Sequence, residues 1–221
     1  MKYPRTFHLP WSSGTSDDKI LSSVDSFLGK ELIILEKLDG GNACLEQDNC
    51  YARTHSGPSI HPSFNNLKAL HASIKHQIPE NMQIFGENLF AKHAIFYDKL
   101  PSYFFIFGIR IIMDKPNSNY WLSWNGVKEV ANKFGLHTVP ELASVIVNTE
   151  KELQKITESF MNKPSLYGPE REGVVVRIAY GFDNDIFDFS VAKHVRTDHL
   201  KGADEHWAHK EMIRNKLASG A

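Results

Sequence analysis

Apolar positions along this chain switch between continuous runs, alternation and helical spacing, and the switches outline its elements. Glu31-Leu-Ile-Ile-Leu-Glu36 is an apolar run bounded by carboxylates, and with Lys37 and Leu38 it predicts a buried strand over 31–38. Residues 43–54 flank the polar turn Glu46-Gln-Asp-Asn49 and predict a hairpin turning near Asp48-Asn49. Ser63 stands in capping position before Phe64, Leu67, Leu70 and Ile74, whose spacing predicts a helix to about His76. A short strand is expected over 82–85, ending in Gly86-Glu87-Asn88, then a long apolar strand over 103–113 interrupted by Arg110, and another over 120–124. Helices are expected over 125–134 and 149–162, and strands over 173–179 and 186–195. A terminal helix from about Ala203 to Leu217 would dock through Trp207, Ile213 and Leu217. Residues 1–18, rich in Pro, Ser, Gly and Asp, read as an irregular arm, and about 200–221 as a helical tail. Strands and helices do not alternate strictly, which favours an α+β fold with antiparallel-rich sheets and flanking helices over a doubly wound parallel sheet. With no internal repeat and no low-complexity linker, 1–221 reads as a single domain.

Composition changes this picture little. The chain has 221 residues, 42% apolar and 23% charged, which is ordinary for a globular protein. A net charge of −1 gives no global basic signal, so a nucleic-acid partner would have to meet a local basic patch. The first ten residues lack the apolar core of a signal peptide, and no apolar run approaches the ~18 residues that span a bilayer, so a cytoplasmic protein without a membrane partner is expected. The two cysteines, Cys44 and Cys50, flank a hairpin turn and are expected to be reduced, inert thiols.

Lys37 changes the picture more. A lysine at the end of a buried strand, followed by Leu38-Asp39-Gly40-Gly41-Asn42, is poorly explained by packing and suits an amine held in a pocket. The chain has no Gly-rich P-loop and no Cys/His set at zinc spacing. It has instead an ordered series: Glu36-Lys37-Leu38-Asp39-Gly40, Arg53-Thr-His-Ser-Gly57, Phe85-Gly86-Glu87-Asn88, Phe104-Phe-Ile-Phe-Gly108, Glu172-Gly-Val-Val-Val-Arg177 and Val191-Ala-Lys193-His-Val-Arg196. This series resembles the covalent nucleotidyltransferase superfamily, the ATP-dependent DNA and RNA ligases and mRNA-capping guanylyltransferases, in its motifs I, Ia, III, IIIa, IV and V. Asn42, two residues after the motif glycine, resembles the RNA ligases of the RNA-repair and RNA-editing type, as does Arg53 in its Thr-x-Ser-Gly setting. His8-Leu-Pro-Trp-Ser12 and Asp17-Asp18 resemble small stand-alone members of that group.

The resemblance implies a nucleotidyltransferase (ligase adenylation) domain without an OB-fold domain, since only about 25 residues follow motif V. It implies ATP and Mg²⁺, with Mn²⁺ as the alternative metal. Lys37 would attack the α-phosphate of ATP to form lysyl-AMP, and AMP would pass to a 5′-phosphate RNA end that a 3′-hydroxyl then joins. A free lysine titrates near ~10.4. Burial and the nearby cations Arg53, Lys193 and the metal are expected to lower that value. The catalytic residues implied are Lys37, Asp39, Arg53, Glu172 and Lys193. The nucleotide-binding residues implied are Glu36, Lys37, Leu38, Gly40, Asn42, Arg53, Glu87, Phe107, Glu172 and Lys193. Glu87 would accept from the ribose hydroxyls, a role a carboxylate fills with two oxygens. Phe107 would stack on adenine, against the competing reading of a core aromatic beside Phe104 and Phe105, of which Phe105 shares its face by alternation. Asp39 would support the site and its metal environment, against a simple turn role, and Glu172 would organise the metal. Lys193 would hold the α-phosphate, but where the family shows Lys-x-Lys this chain has Lys193-His194-Val195, which leaves the second basic residue open. His199, His206 and His209 invite a metal reading, outweighed by a polar helix face. RNA ends are the expected partner, with a protein partner or separate RNA-binding factor to present them. The alternatives are a DNA nick ligase and a non-catalytic nucleotide- or RNA-binding module derived from a ligase.

Overall fold

A computed structural model describes residues 2–13, 18–53, 60–113, 118–196 and 212–219. Its strands, in chain order, are β1 (Phe7–His8), β2 (Glu31–Lys37), β3 (Gly41–Leu45), β4 (Cys50–Ala52), β5 (Met82–Asn88) and β6 (Phe104–Ile111). They continue with β7 (Tyr120–Trp121), β8 (His137–Thr138), β9 (Glu141–Ile146), β10 (Gly173–Ile178), β11 (Phe182–Asp183) and β12 (Val191–Val195). The helices are α1 (Asn65–Ile74), α2 (Trp124–Lys133) and α3 (Glu150–Met161).

The strands form two sheets, an α+β architecture. One sheet runs β1-β12-β10-β2-β9, and the other β11-β7-β6-β5-β3-β4, with β8 attached to β6. All pairings are antiparallel except β1 with β12 and β6 with β8. The continuous apolar run of β2 is explained by burial on both faces. Leu32 and Ile34 pack with Val174, Val176 and Leu153 of α3, whereas Ile33 and Leu35 join the core around Ile84, Ile106 and Ile109. Side chains alternate across a strand, so Leu35 and Lys37 share one face of β2, and Val175 and Arg177 of β10 and Val191 and Lys193 of β12 turn to the same cleft.

Several elements depart from the sequence expectations, each for a local reason. The arm is not irregular throughout: Phe7–His8 adds an edge strand to β12, with Leu9 N–H donating to the Lys193 carbonyl at 2.8 Å. Ser63 does not cap α1. His61 accepts from Ser63 N–H at the start of a single 3₁₀ turn, and α1 begins at Asn65. The strand expected to stop at Phe85 continues to Asn88, because Gly86, Glu87 and Asn88 pair on both sides. The strand over 120–124 ends at Trp121, since Ser123 accepts from Gly126 N–H and starts α2. The strand over 186–195 starts only at Val191; residues 184–189 form a 3₁₀ segment. Strands β8 and β9 went unread.

The terminal helix is corrected where the structure describes it. Residues 212–219 form no helix; Arg214 is bridged to Ala91 and Leu217 to Leu100. Leu217 packs on the core while Ile213 is exposed. Trp207, His199, His206 and His209 lie outside the described residues. Both cysteines are free and buried. They do not face each other, because Cys50 pairs with Leu45 and Cys44 with Tyr51. Burial raises both thiols, that of Cys50 to about 11, which leaves them inert.

Candidate active site

The two sheets and the N-terminal arm enclose a cleft of about 640 Å³, within the range of small-molecule sites. One wall carries Leu35, Lys37, Val175, Arg177, Val191 and Lys193; the facing wall carries Asn42, Arg53, Glu87 and Phe107; Tyr3, Pro4, Arg5, Thr6 and Asp18 close one side. Leu38 and Gly40 line the turn between the walls. That turn demands glycine at residue 40, where a Cβ would stand 2.6 Å from the Asn88 carbonyl oxygen.

Lys37 ends β2 opposite Gly173, and its Nζ donates to Glu172 Oε2 at 2.7 Å. The expectation of an amine with a lowered pKa is corrected here. Burial does push it down, but Glu172, then Glu87 and Asp39, outweigh burial and hold the amine above its ordinary value. Glu87 sits across the turn and accepts from Gly40 N–H at 3.1 Å. Burial, with Glu172 and Asp39 as further anions, pushes its carboxyl up to about 8 against the pull of Lys37. Lys193 goes the other way. Burial and the positive charges of Lys37 and Arg53 lower it, although Asp18 lies 3.8 Å from its Nζ.

Asp39 takes a structural position. Its Oδ2 accepts from Ala94 and Ile95 N–H, both at 2.8 Å, and its own N–H donates to Tyr97 Oη at 2.9 Å. Asp39 thereby ties the turn after Lys37 to the 94–97 segment. Glu36 lines the cleft as well, while its carboxylate is buried on the opposite face of β2 from Lys37, 3.4 Å from Arg171. Phe105 and Phe107 are separated by a bulge: Phe85 pairs with Gly108 and Gly86 with Ile106, leaving Phe107 as the extra residue of β6. Phe105 is fully buried against Tyr167, while Phe107 is half-buried at the cleft, edge-on to Tyr3 at 4.9 Å. Arg53 is exposed at the cleft rim; Thr54, His55, Ser56 and Gly57 of its motif lie outside the described residues.

Sequence reasoning singled out segments of the arm but missed their contacts with the cleft. Asp18 lies 3.4 Å from His8 Nε2 and 3.6 Å from Arg5 as well as near Lys193. His8 Nδ1 pairs with Ser12 Oγ at 2.8 Å, and Ser12 Oγ accepts from Val195 N–H at 3.0 Å. Burial, then Lys193, lowers the His8 ring to about 4, so it is neutral at pH 7. The only signal for this network was the His8-to-Ser12 segment and Asp18 themselves; no local spacing announces their partners. Arg177 was also passed over as a cleft residue. It donates to the Leu122 carbonyl at 2.7 Å and lies over the Trp124 ring.

For a divalent metal, the donors are hard carboxylate oxygens of the kind Mg²⁺ takes. Among the described residues no group of three or more His, Cys, Asp or Glu forms a ready cage. Glu172 and Glu87 therefore fit a metal only in company with substrate phosphates and water, the usual arrangement for Mg²⁺.

A half-buried amine beside a carboxylate, an aromatic ring and flanking cations come together around one cleft. The family model described as RNA ligase matches residues 30–195. The chain belongs to the RNA ligase family. No curated protein matches it. Solved structures similar to it include a mutant Naegleria gruberi RNA ligase with ATP and Mn, at 15% identity and TM-score 0.60 over 92% of this chain and 60% of that one. An apo mutant of the Naegleria gruberi ligase is similar at 16% identity and TM-score 0.58, over 81% of this chain and 53% of that one. An archaeal ATP-dependent RNA ligase is similar at 15% identity and TM-score 0.56, over 88% and 48%. At such identities the likeness is one of fold. The chain spans about half to three-fifths of the length of these proteins.

Proposed function

We propose that this chain is the nucleotidyltransferase domain of an ATP-dependent RNA ligase that joins 5′-phosphate and 3′-hydroxyl RNA ends through lysyl-AMP. The observation that carries the reading is the Lys37–Glu172 pair at 2.7 Å, set in a cleft with Glu87, Phe107 and Lys193. Membership of the RNA ligase family and the ATP-and-Mn complex of the Naegleria gruberi relative support the nucleotide and the metal.

In the first step the Lys37 amine attacks the α-phosphorus. An N–P bond forms, the bond to the bridging oxygen of pyrophosphate breaks, and pyrophosphate leaves with the electron pair. The amine must be neutral to attack, and Glu172 is what keeps its proton in the nucleotide-free protein. As Glu172 turns to the phosphate side, burial and Lys193 both favour the neutral amine, and the proton leaves to solvent. Glu172 would help to hold a Mg²⁺ or Mn²⁺ ion, which would supply neutralising charge at the phosphates. Phe107 offers adenine a face for stacking, Glu87 accepts from the ribose, Asn42 and Arg53 stand at the phosphate and RNA-end side, and Lys193 holds the α-phosphate. AMP then moves to the RNA 5′-phosphate, and a 3′-hydroxyl displaces it. Such ends are held by local charge, since the net charge is only −1, and a protein partner or RNA-binding factor fits that weak field. No helix among the described residues is long and apolar enough to cross a membrane, and two free buried thiols suit a reducing cytoplasm.

The test is incubation with α-labelled ATP and Mg²⁺ followed by a denaturing gel. The wild type should carry label, and Lys37→Ala, equally folded, should carry none. Label on Lys37→Ala removes Lys37 from the chemistry. Its absence from wild type, first stripped of AMP with pyrophosphate, returns the chain to a binding module. Matched RNA and DNA nicks then separate an RNA ligase from a DNA nick ligase.

A further inference from the structure

Four charges occupy two consecutive positions on each of two neighbouring segments. Glu36 and Lys37 are consecutive at the end of β2, and Arg171 and Glu172 are consecutive just ahead of β10. Consecutive residues of extended chain point to opposite faces. Lys37 meets Glu172 on the cleft face at 2.7 Å, while Arg171 Nη2 meets Glu36 Oε2 on the far face at 3.4 Å. Both members of the far pair are buried.

The far pair sits where the ladder between β10 and β2 ends, although on the other side the Glu172 carbonyl still accepts from Arg196 N–H at 3.1 Å. The ladder between β10 and β2 begins at Gly173 opposite Lys37, so Arg171 and Glu172 stand outside it. Arg171 ties this segment down from beneath. Its Nη1 donates to the Phe160 carbonyl near the end of α3 at 3.0 Å, and its Nη2 donates to Glu36. Glu36 Oε2 also accepts from Leu166 N–H at 3.3 Å. One carboxylate on β2 therefore holds the α3–β10 connection at two points, residues 166 and 171.

The pair is poorly explained as a source of stability. Glu36 Oε1 and Arg171 Nε are buried without a hydrogen-bond partner, although a guanidinium fork can engage both oxygens of a carboxylate. Removing two charges from water is costly, and a pair this imperfect is weak evidence for stabilisation. Its location, directly behind the reacting lysine and the carboxylate that faces it, gives it a different use.

We propose that Arg171 and Glu36 are positioning residues: their buried pair pins the 162–172 connection to β2, so that Glu172 stands against Lys37. The proposal rests on the ligase reading for its effect on rate, but not for its effect on geometry.

The test replaces the pair by apolar residues of similar volume, Glu36→Leu with Arg171→Met, a change that buried ion pairs often tolerate. Melting and near-ultraviolet circular dichroism should report a wild-type fold. A crystal structure of the nucleotide-free variant should show Glu172 displaced from hydrogen-bond distance of Lys37. Single-turnover adenylylation at saturating ATP should fall on the order of tenfold or more, because a displaced Glu172 no longer stands where it must turn to the phosphates and their metal, and a small misplacement of reacting groups costs that much. The ATP concentration for half-maximal rate should change little, because neither variant side chain faces the cleft. An intact Lys37–Glu172 contact in the folded variant overturns the proposal, as does a wild-type rate. If wild type itself forms no adduct, the ligase reading fails, while the structural comparison still decides the positioning role. If the apolar variant does not fold, Glu36→Gln with Arg171→Met, which removes the tie between residues 36 and 171 but keeps an acceptor for Leu166 N–H, is read in the same way.

Discussion

The N-terminal arm and the C-terminal segment 212–219 both brace the cleft, and they do so with different physics. The arm works through charge. Asp18 stands 3.4–3.8 Å from Arg5, His8 and Lys193, and it reaches the wall that carries Lys193. The C-terminal segment works through neutral hydrogen bonds. Asn215 is buried, its Oδ1 accepts from Tyr97 N–H at 2.9 Å and its Nδ2 donates to the Leu89 carbonyl at 2.8 Å. Tyr97 in turn accepts from Asp39 N–H, two residues from Lys37. Neutral hydrogen bonds are indifferent to pH and salt, whereas charges and titrating rings are not. The two braces should therefore come apart experimentally.

The largest effect belongs to the C-terminal brace. Asn215→Ala leaves Tyr97 N–H and the Leu89 carbonyl unpaired in a buried place. The expected loss is about 2–4 kcal/mol of stability, equal at pH 5 and pH 8. Denaturant unfolding at both pH values checks it; a loss under half of this, or one that varies with pH, sinks the claim of a neutral brace. The arm should behave oppositely. His8 titrates near 4 in the folded chain against 6.5 when free. Above pH 6.5 both states hold a neutral ring and its contribution is complete. As pH falls below that, the unfolded chain takes up a proton that the folded chain refuses, and stability drains away until about pH 4. The 2.5-unit difference sets a ceiling of about 3 kcal/mol. In His8→Gln this component should vanish. An unchanged pH profile would place the acid sensitivity elsewhere.

The same contrast explains what the sequence could disclose. Lys37, Asn42, Glu87, Phe107, Glu172 and Lys193 lie in short contiguous segments whose composition is distinctive, and five of them line the one cleft with Glu172 against Lys37. The strands that carry them were legible because burial leaves apolar runs. Their supports were not, because each is a long-range contact. Glu36 and Arg171 are 135 residues apart, and Tyr97 and Asn215 are 118 apart. No window along the chain contains both members. Strand β9 was illegible for another reason: it is an edge strand whose side chains are half-buried or exposed, so Glu141-Leu-Ala-Ser-Val-Ile146 lacks a firm apolar face. The bulge at Phe107 depends on how β5 and β6 pair, which simple alternation misses. The amine of Lys37 was misjudged because the cations were visible as motif residues, while the anions prevail only through their distances.

The smallest expected effect is also the most specific to the arm. Asp18→Asn removes the carboxylate shared by three basic groups but keeps its size. These contacts are long and partly exposed, so the stability change should stay under about 1 kcal/mol, and it should shrink further in high salt. The sharper readout is the ring of His8. Burial and Lys193 lower its pKa, and Asp18, through its charge, is the neighbour that raises it. With the charge gone, only lowering influences remain among the principal ones, so the folded ring should titrate below the wild-type value. The acid loss of stability should then continue to lower pH than in the wild type. Following the His8 ring by NMR through an acid titration reads this directly, and a His8 pKa that stays put or rises in Asp18→Asn would mean that the arm is not held to the Lys193 wall through Asp18.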